Sequence, residues 1–317
     1  MKATMRIQVY DDSQKRLWDE FVRNSKNGTF LFLRDYMDYH GDRFLDNSLL
    51  IWDDKEHLIA LVPANKKGEL LITHEGLTYG GVVTDEEMKA PLMLDVLGET
   101  LGWARQHGFV KLIYKAVPHI YHRIPADEDR YALFRYGATL YRCDVTTVVV
   151  PAEKISFQGR RIRSIKKALA AGVSWGLSDK YEEFWSIVED NLWSVYRQKP
   201  VHTLAELRRL QASFPENIKL FCVVLDGETL AGTVIYESHN VAHAQYIASS
   251  KDGRSWGALD MLFSHLIGDV YQDKKYFDFG ISTEADGRYL NTGLVSFKEG
   301  FGGRTVTHDF YEVRLAQ

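Results

Sequence analysis

YFDFGISTEADGRYLNTGLVSFKEGFGGR, residues 276–304, holds the densest run of informative positions in this chain of 317 residues. Alternation of apolar and acidic residues in YFDFG predicts a short strand. GISTE then places Ser282, Thr283 and Glu284 just past its C-terminal end. The spacing that follows predicts a helix over 290–299, with Leu290, Leu294 and Phe297 on one face at i, i+4, i+7. Asn291 and Lys298, seven residues apart, share another flank. Folding alone does not require an amide and an ammonium beside two hydroxyls and a carboxylate. Thr283, Glu284, Asn291 and Lys298 are therefore candidate site residues, although a solvated surface helix is the plainer reading.

Upstream, residues 218–225 and 229–237 predict a hairpin around Asp226-Gly227, and 241–249 predict a further strand. Glu237 ends one of these strands. His243 and Gln245 alternate with Ala244 and Tyr246, which predicts that His243 and Gln245 share a face. Glu237 and His243 are candidate bases for an amine, and Tyr246 and Tyr289 are candidate acids. A helix is predicted over 256–271 from its apolar stripe. Thr203 suits the N-cap of a helix over 204–214, which leaves the adjacent His202 for an acceptor. The helix over 160–171 carries Arg160, Arg161, Arg163, Lys166 and Lys167. It is most simply a solvated face, with phosphate or RNA binding as the other reading.

A boundary falls near Pro151, after the β-branched run 145–150. On either side the order of elements is similar: helices, an antiparallel meander, a helix, a further strand. In the first half, helices are predicted over 13–25, 34–44 and 85–106, a hairpin over 48–63, and a strand over 109–114. This predicts an α/β (α+β) chain of two tandem domains, 1–150 and 151–317, each a mixed sheet flanked by helices.

Composition bounds the function. The hydrophobic and charged fractions, 45% and 26%, are those of an ordinary globular protein. A net charge of -4 gives no overall signature for DNA or a membrane surface. The start MKATMRIQVYDD has no apolar signal-peptide core, and no run is long enough for a membrane span, so a cytoplasmic location is expected. Two cysteines far apart make neither a disulfide framework nor a zinc pattern. His119 and His122 lack the carboxylate or thiol that would complete a metal set, so no metal is expected.

Three stretches resemble the GNAT acyltransferases, and the tandem arrangement resembles their FemABX-like branch. They are RRIRSIKKALAAGV (160–173), AGTVIYESHNVAHAQYIASS with GALDMLFSHLI (231–267), and FDFG with FKEGFGG in the opening segment. The likeness covers the second half well and the first in outline. It is closest to the FemAB-like acyltransferases of polysaccharide and O-antigen gene clusters. The resemblance implies two GNAT-like domains with mainly antiparallel sheets, and transfer of an acyl group from acetyl-CoA or another acyl-CoA to the amine of an amino sugar, a nucleotide-linked one. The Fem-type alternative is aminoacyl transfer from charged tRNA to a cell-wall precursor; a catalytically silent binding protein is a third reading. The donor would lie in a groove between 229–237 and 241–249, over the turn containing Gly253, Arg254, Gly257 and Ala258. Such turns cradle a diphosphate on helix N-terminal amides. This one departs from the family pattern at Leu259, and Asp252 would repel a diphosphate. The acceptor would meet Arg34, Tyr36, Lys115 and Tyr121, with Lys298 on the acceptor or the donor carbonyl.

Overall fold

Buried aliphatic and aromatic side chains collect in separate cores within two units of chain. The computed structural model describes residues 5–153 and 155–315. One unit is the chain up to Asp144 with Ala285–Arg288 and the chain from Thr307; the other is Val145–Glu284 with Tyr289–Val306. The closing strand joins the first unit because Val313 and Leu315 are buried in its core.

The first unit contains β1 (Arg6–Val9), α1 (Lys15–Asn24), α2 (Arg34–Met37), β2 (Leu45–Asp46), β3 (Leu49–Trp52), β4 (Leu58–Val62), β5 (Asn65–Lys67), β6 (Leu70–Ile72), β7 (Val83–Thr84), α3 (Ala90–Gln106), β8 (Lys111–Lys115), α4 (Glu128–Arg135) and the start of β9 (Thr139–Val149). An antiparallel sheet runs β1-β3-β4-β7, and β8, β6, β5 and β2 are neighbours in a second sheet, with β6 and β8 parallel. Helix α3 carries Pro91 in its first turn, where a proline is tolerated. It buries Met93, Val96, Leu97, Leu101 and Ala104 at helical spacing. The helix expected over 34–44 stops at Met37 and continues only as a short 3-10 turn.

The second unit contains α5 (Gly159–Ala170), β10 (Ser174–Ser178), α6 (Tyr181–Tyr196), α7 (Leu204–Ser213), β11 (Ile218–Leu225), β12 (Glu228–Glu237), β13 (Val241–Ser249), α8 (Lys251–Trp256), α9 (Ala258–His265), β14 (Tyr276–Ile281), β15 (Thr283–Glu284), β16 (Tyr289–Leu290), α10 (Thr292–Glu299) and the first residues of β17 (Arg304–Arg314). Its sheet runs β10-β11-β12-β13-β14-β9. All neighbours are antiparallel except β13 and β14. Phe221, Val223, Ala231, Ile235, Ala242, Ala244, Phe277 and Phe279 turn one face of the sheet toward Met261, Leu262 and Phe263 of α9. Helix α6 covers strands β12 and β13.

Two expected helices differ. The one over 256–271 is broken at Gly257, whose φ of 74° ends α8, and α9 passes into a π turn. A Cβ on Gly257 would lie 2.8 Å from the Ser164 carbonyl, so close packing on α5 also demands glycine. The helix over 290–299 starts at Thr292. Asn291 caps it, and Leu290 lies in β16 at 43% exposure rather than in the core. Among the described residues no helix is long and apolar enough to cross a membrane.

Candidate active site

The sheet of the second unit opens where its one parallel pair ends. β13 and β14 match Val241 with Tyr276, Ala242 with Phe277 and His243 with Asp278, and no pair follows. Beyond His243, the β13 edge that faced β14 is left without a strand partner. Gly280 bends β14 away at a φ of 73°. A Cβ there would press within 3.3 Å of His243 Cε1, so the bend and the close approach both select glycine.

At the apex of this opening sits a polar cluster. Asp278, fully buried, receives the His243 ring through Nδ1–Oδ2 at 2.8 Å. Its other oxygen accepts from the Thr146 hydroxyl and, at 2.9 Å, from the Gly280 N–H. With a carboxylate as acceptor, Nδ1 carries the imidazole proton, which leaves proton-accepting capacity on Nε2. The acid of YFDFG is thus the residue that orients His243. Its signal in the sequence was an acidic side chain in an otherwise apolar strand. Thr146, inside a β-branched run, carried no such signal.

Lys298 reaches the same bend from α10. Its ammonium donates to Gly280 O at 2.7 Å, Ile281 O at 2.8 Å and Ser282 Oγ at 2.9 Å. Burial pushes its pKa down to about 8, against the pull of the Asp278 charge. All three protons are used, so the side chain clamps the kinked end of β14. The remaining polar residues of the opening segment bind one another. Thr283 Oγ1 accepts from Val145 N–H at 3.3 Å, Asn291 Nδ2 donates to Glu284 at 3.1 Å, and Asn291 Oδ1 caps Leu294 N–H at 3.0 Å.

A bulge changes which β13 side chains share a face. Ala244 pairs with Ile235 and Tyr246 with Val234, so Gln245 is an extra residue. His243, opposite Tyr236, and Tyr246, opposite Val234, therefore face the same side. The expected His243–Gln245 face is replaced by a His243–Tyr246 face. The Tyr246 hydroxyl lies 2.5 Å from His202 Nδ1, and its ring meets Trp185 edge-on at 4.9 Å. Two residues singled out separately in the sequence thus come together.

Other candidates build structure. Glu237 lies at the closed end of the sheet, opposite Ala242, accepting from the Tyr271 hydroxyl at 2.7 Å and paired with Lys219 at 2.8 Å. The donor groove expected between 229–237 and 241–249 is absent, because these strands pair from Ala231–Ser249 to Glu237–Ala242; the opening lies between β13 and β14 instead. In the turn after β13, Ser250 Oγ takes the Gly253 N–H at 3.0 Å. Arg254 turns back onto Ser249 O at 2.6 Å and Asn191 at 3.2 Å, and Ala258 is buried in the core. A cavity of about 800 Å³ against β10, lined by Ser174, Gly176, Ser178, Arg208 and Cys222 among others, contains none of these residues.

In the first unit the candidate contacts are buried. Arg34, 3% exposed, binds Asp38 at 2.6 Å and also Asp46, and lies 3.8 Å over the Tyr10 ring. Tyr36 packs edge-on to Phe30 and Tyr39, and Tyr121 against Tyr79 at 4.5 Å. Lys115 points its ammonium at the carbonyls of His74, Glu75 and Leu77; burial, then the Arg142 charge, bring its pKa down to about 7. Arg34→Met is expected to cost about 1–2 kcal/mol in urea unfolding, since it removes the partner of two carboxylates that stay partly solvated. A loss under about 0.5 kcal/mol would show the pairs to be incidental.

Buried histidines make the same unit acid-sensitive. His40 and His74 stack at 5.1 Å, 1% and 2% exposed. Burial lowers both, His40 from 6.5 to about 4. The unfolded chain therefore binds more protons than the folded one between those values. Stability is full above 6.5, falls as pH drops through the window, and the loss from His40 is on the order of 3 kcal/mol below about 4. In His40→Phe the slope of urea midpoint against pH should flatten across that window; an unchanged slope would remove His40 from the effect.

Residues 160–289 match the family described as acetyltransferase (GNAT) domain. No curated protein matches the chain in sequence. Among solved structures, FemX is similar at 13% identity and a TM-score of 0.67, over 98% of this chain and 97% of that one. The C-terminal domain of a putative lysylphosphatidylglycerol synthetase from Agrobacterium fabrum is similar at 12% identity and 0.60, over 96% and 92%. A tandem GNAT protein from the clavulanic acid biosynthesis pathway is similar at 11% and 0.52, over 99% of each chain. Residues 160–289 thus match a GNAT acetyltransferase domain, and the chain as a whole shares the fold of FemX and of the tandem GNAT protein.

Proposed function

We propose that the chain transfers an acyl group, acetyl in the simplest case, from acyl-CoA to the amine of a nucleotide-linked amino sugar in cytoplasmic polysaccharide assembly. The observation that carries this reading is the His243–Asp278 pair at the apex of the opening between β13 and β14. The donor's extended arm lies along the edge of β13 beyond His243, where β14 no longer pairs with it. His243 Nε2 takes a proton from the acceptor ammonium. The freed amine adds to the acyl carbon, and a β13 N–H near the Gln245 bulge receives the developing oxyanion. The carbon–sulfur bond breaks, the thiolate takes a proton from Tyr246, and the added nitrogen returns its second proton to the Tyr246 oxygen, which leaves a neutral amide and a free thiol. Lys298 keeps β14 bent open. The test is thiol release from acetyl-CoA with nucleotide-linked amino sugars as acceptors. Turnover that requires such an acceptor supports the reading; none with any amino sugar, while charged tRNA is consumed, sinks it.

One observation favours the aminoacyl alternative. Ser250 occupies the Gly253 amide and Arg254 folds back on Ser249, so the turn after β13 offers a diphosphate little. An aminoacyl ester would use the same base and the same β13 edge without that cradle. Mass spectrometry of ligands co-purifying with the native protein separates the two donors.

A further inference from the structure

Helix α5 carries Arg160, Arg161, Arg163, Lys166 and Lys167 and no acidic residue, in a chain of net charge -4. Its inner face is fixed by contacts within the second unit. Ala168 is fully buried, Arg161 pairs with Asp260 at 2.6 Å, and Ser164 abuts Gly257. Helical spacing then turns Ile162, Arg163, Lys166 and Leu169 outward. Ile162 and Leu169, seven residues apart, are 42% and 54% exposed. On the opposite flank, the Lys167 ammonium lies 5.3 Å from the exposed Trp256 ring and donates to Ser255 O at 2.7 Å. The helix is therefore basic along its outer ridge, with branched aliphatics on one side and an indole on the other.

A merely solvated face would intersperse acidic partners at i±3 or i±4, and α5 has none. A nucleic-acid surface joins cations to aromatic stacking platforms and has no use for exposed Ile and Leu. Cations beside exposed aliphatics and an indole match the anionic headgroup layer of a phospholipid membrane, where the charges meet phosphates and the apolar side chains enter the headgroup–acyl boundary.

We propose that the outer face of α5, with Trp256, docks the second unit on an anionic phospholipid surface. This is peripheral binding without a span, and it stands apart from the acyl-transfer reading: an inactive chain would still dock.

The experiment is co-sedimentation of the full chain with vesicles of phosphatidylcholine alone and of phosphatidylcholine with phosphatidylglycerol. Binding is expected only to the second kind and should weaken as salt is added. Arg163→Gln with Lys166→Gln should weaken it about thirty-fold at low ionic strength. Ile162→Ser with Leu169→Ser should weaken it roughly ten-fold or more while leaving the cations in place. All four positions sit on the outer ridge, and an unchanged melting temperature confirms folding. Equal binding to both vesicles, no binding to either, or wild-type binding by either double variant overturns the proposal. So does a chain that binds bulk tRNA but not vesicles, since that would make the ridge a nucleic-acid surface.

Discussion

Replacing His243 by alanine should lower kcat by about 10²–10⁴-fold, the usual loss when a positioned general base is removed. The side chain is 9% exposed at the end of a paired segment, so part of the cost could come from packing. Two controls separate the effects. Exogenous imidazole should restore some turnover to His243→Ala, because the vacated space lies beside the opening. Asp278→Asn keeps the side-chain volume but offers Nδ1 a donor as well as an acceptor, so the imidazole can adopt the other tautomer. It should cost about ten-fold or more in kcat with KM little changed. Full activity in His243→Ala, at any pH, would remove the pair from the chemistry.

Lys298→Met should produce the second large effect, on stability and turnover together. The ammonium holds two carbonyls and a hydroxyl at the bend of β14, and a thioether offers them nothing. Hydrogen bonds from a charged donor to buried acceptors set the loss at about 2–4 kcal/mol, read as a lower urea midpoint. Loosening the bend should also misplace Asp278 and His243, with kcat down by about 10²-fold. The pH dependence has a definite sign. Burial lowers the folded pKa to about 8 from 10.5, so the unfolded chain binds more protons between those values. Stability contributed by this group therefore rises as pH is raised from about 8 to 10.5. Lys298→Met should lack that rise. A variant as stable and active as the parent would leave the clamp without a role.

Much of the second unit was legible because its elements are regular. The helix over 160–171 and the hairpin over 218–225 and 229–237 follow periods that a sequence displays directly, and Thr203 caps α7 as its side chain suggests. Elements whose form depends on neighbours were not legible. Gly257 breaks a continuous apolar stripe because α5 passes too close for a side chain, and nothing local announces that. The site was half legible for the same reason. His243, Tyr246, His202 and Lys298 stood out as residue types. Pairing with Asp278, Thr146 and Gly280 depends on which strand lies beside β13. Arg34, Tyr36, Lys115 and Tyr121 looked like recognition groups because a charge or hydroxyl reads the same in a sequence whether it meets solvent or a buried partner.

The Gln245 bulge fixes how the site can be recognised in other chains. In a regular strand, side chains three apart point to opposite faces; here one additional residue lets His243 and Tyr246 point the same way. A related protein without that insertion would have to carry its hydroxyl two positions after the histidine to preserve the geometry. A spacing of two with a regular strand and a spacing of three with a bulge are therefore equivalent, and a search for one fixed interval would miss the other arrangement. Deleting Gln245 from this chain would bring Tyr246 to two positions after His243 in a regular strand and keep both side chains on one face.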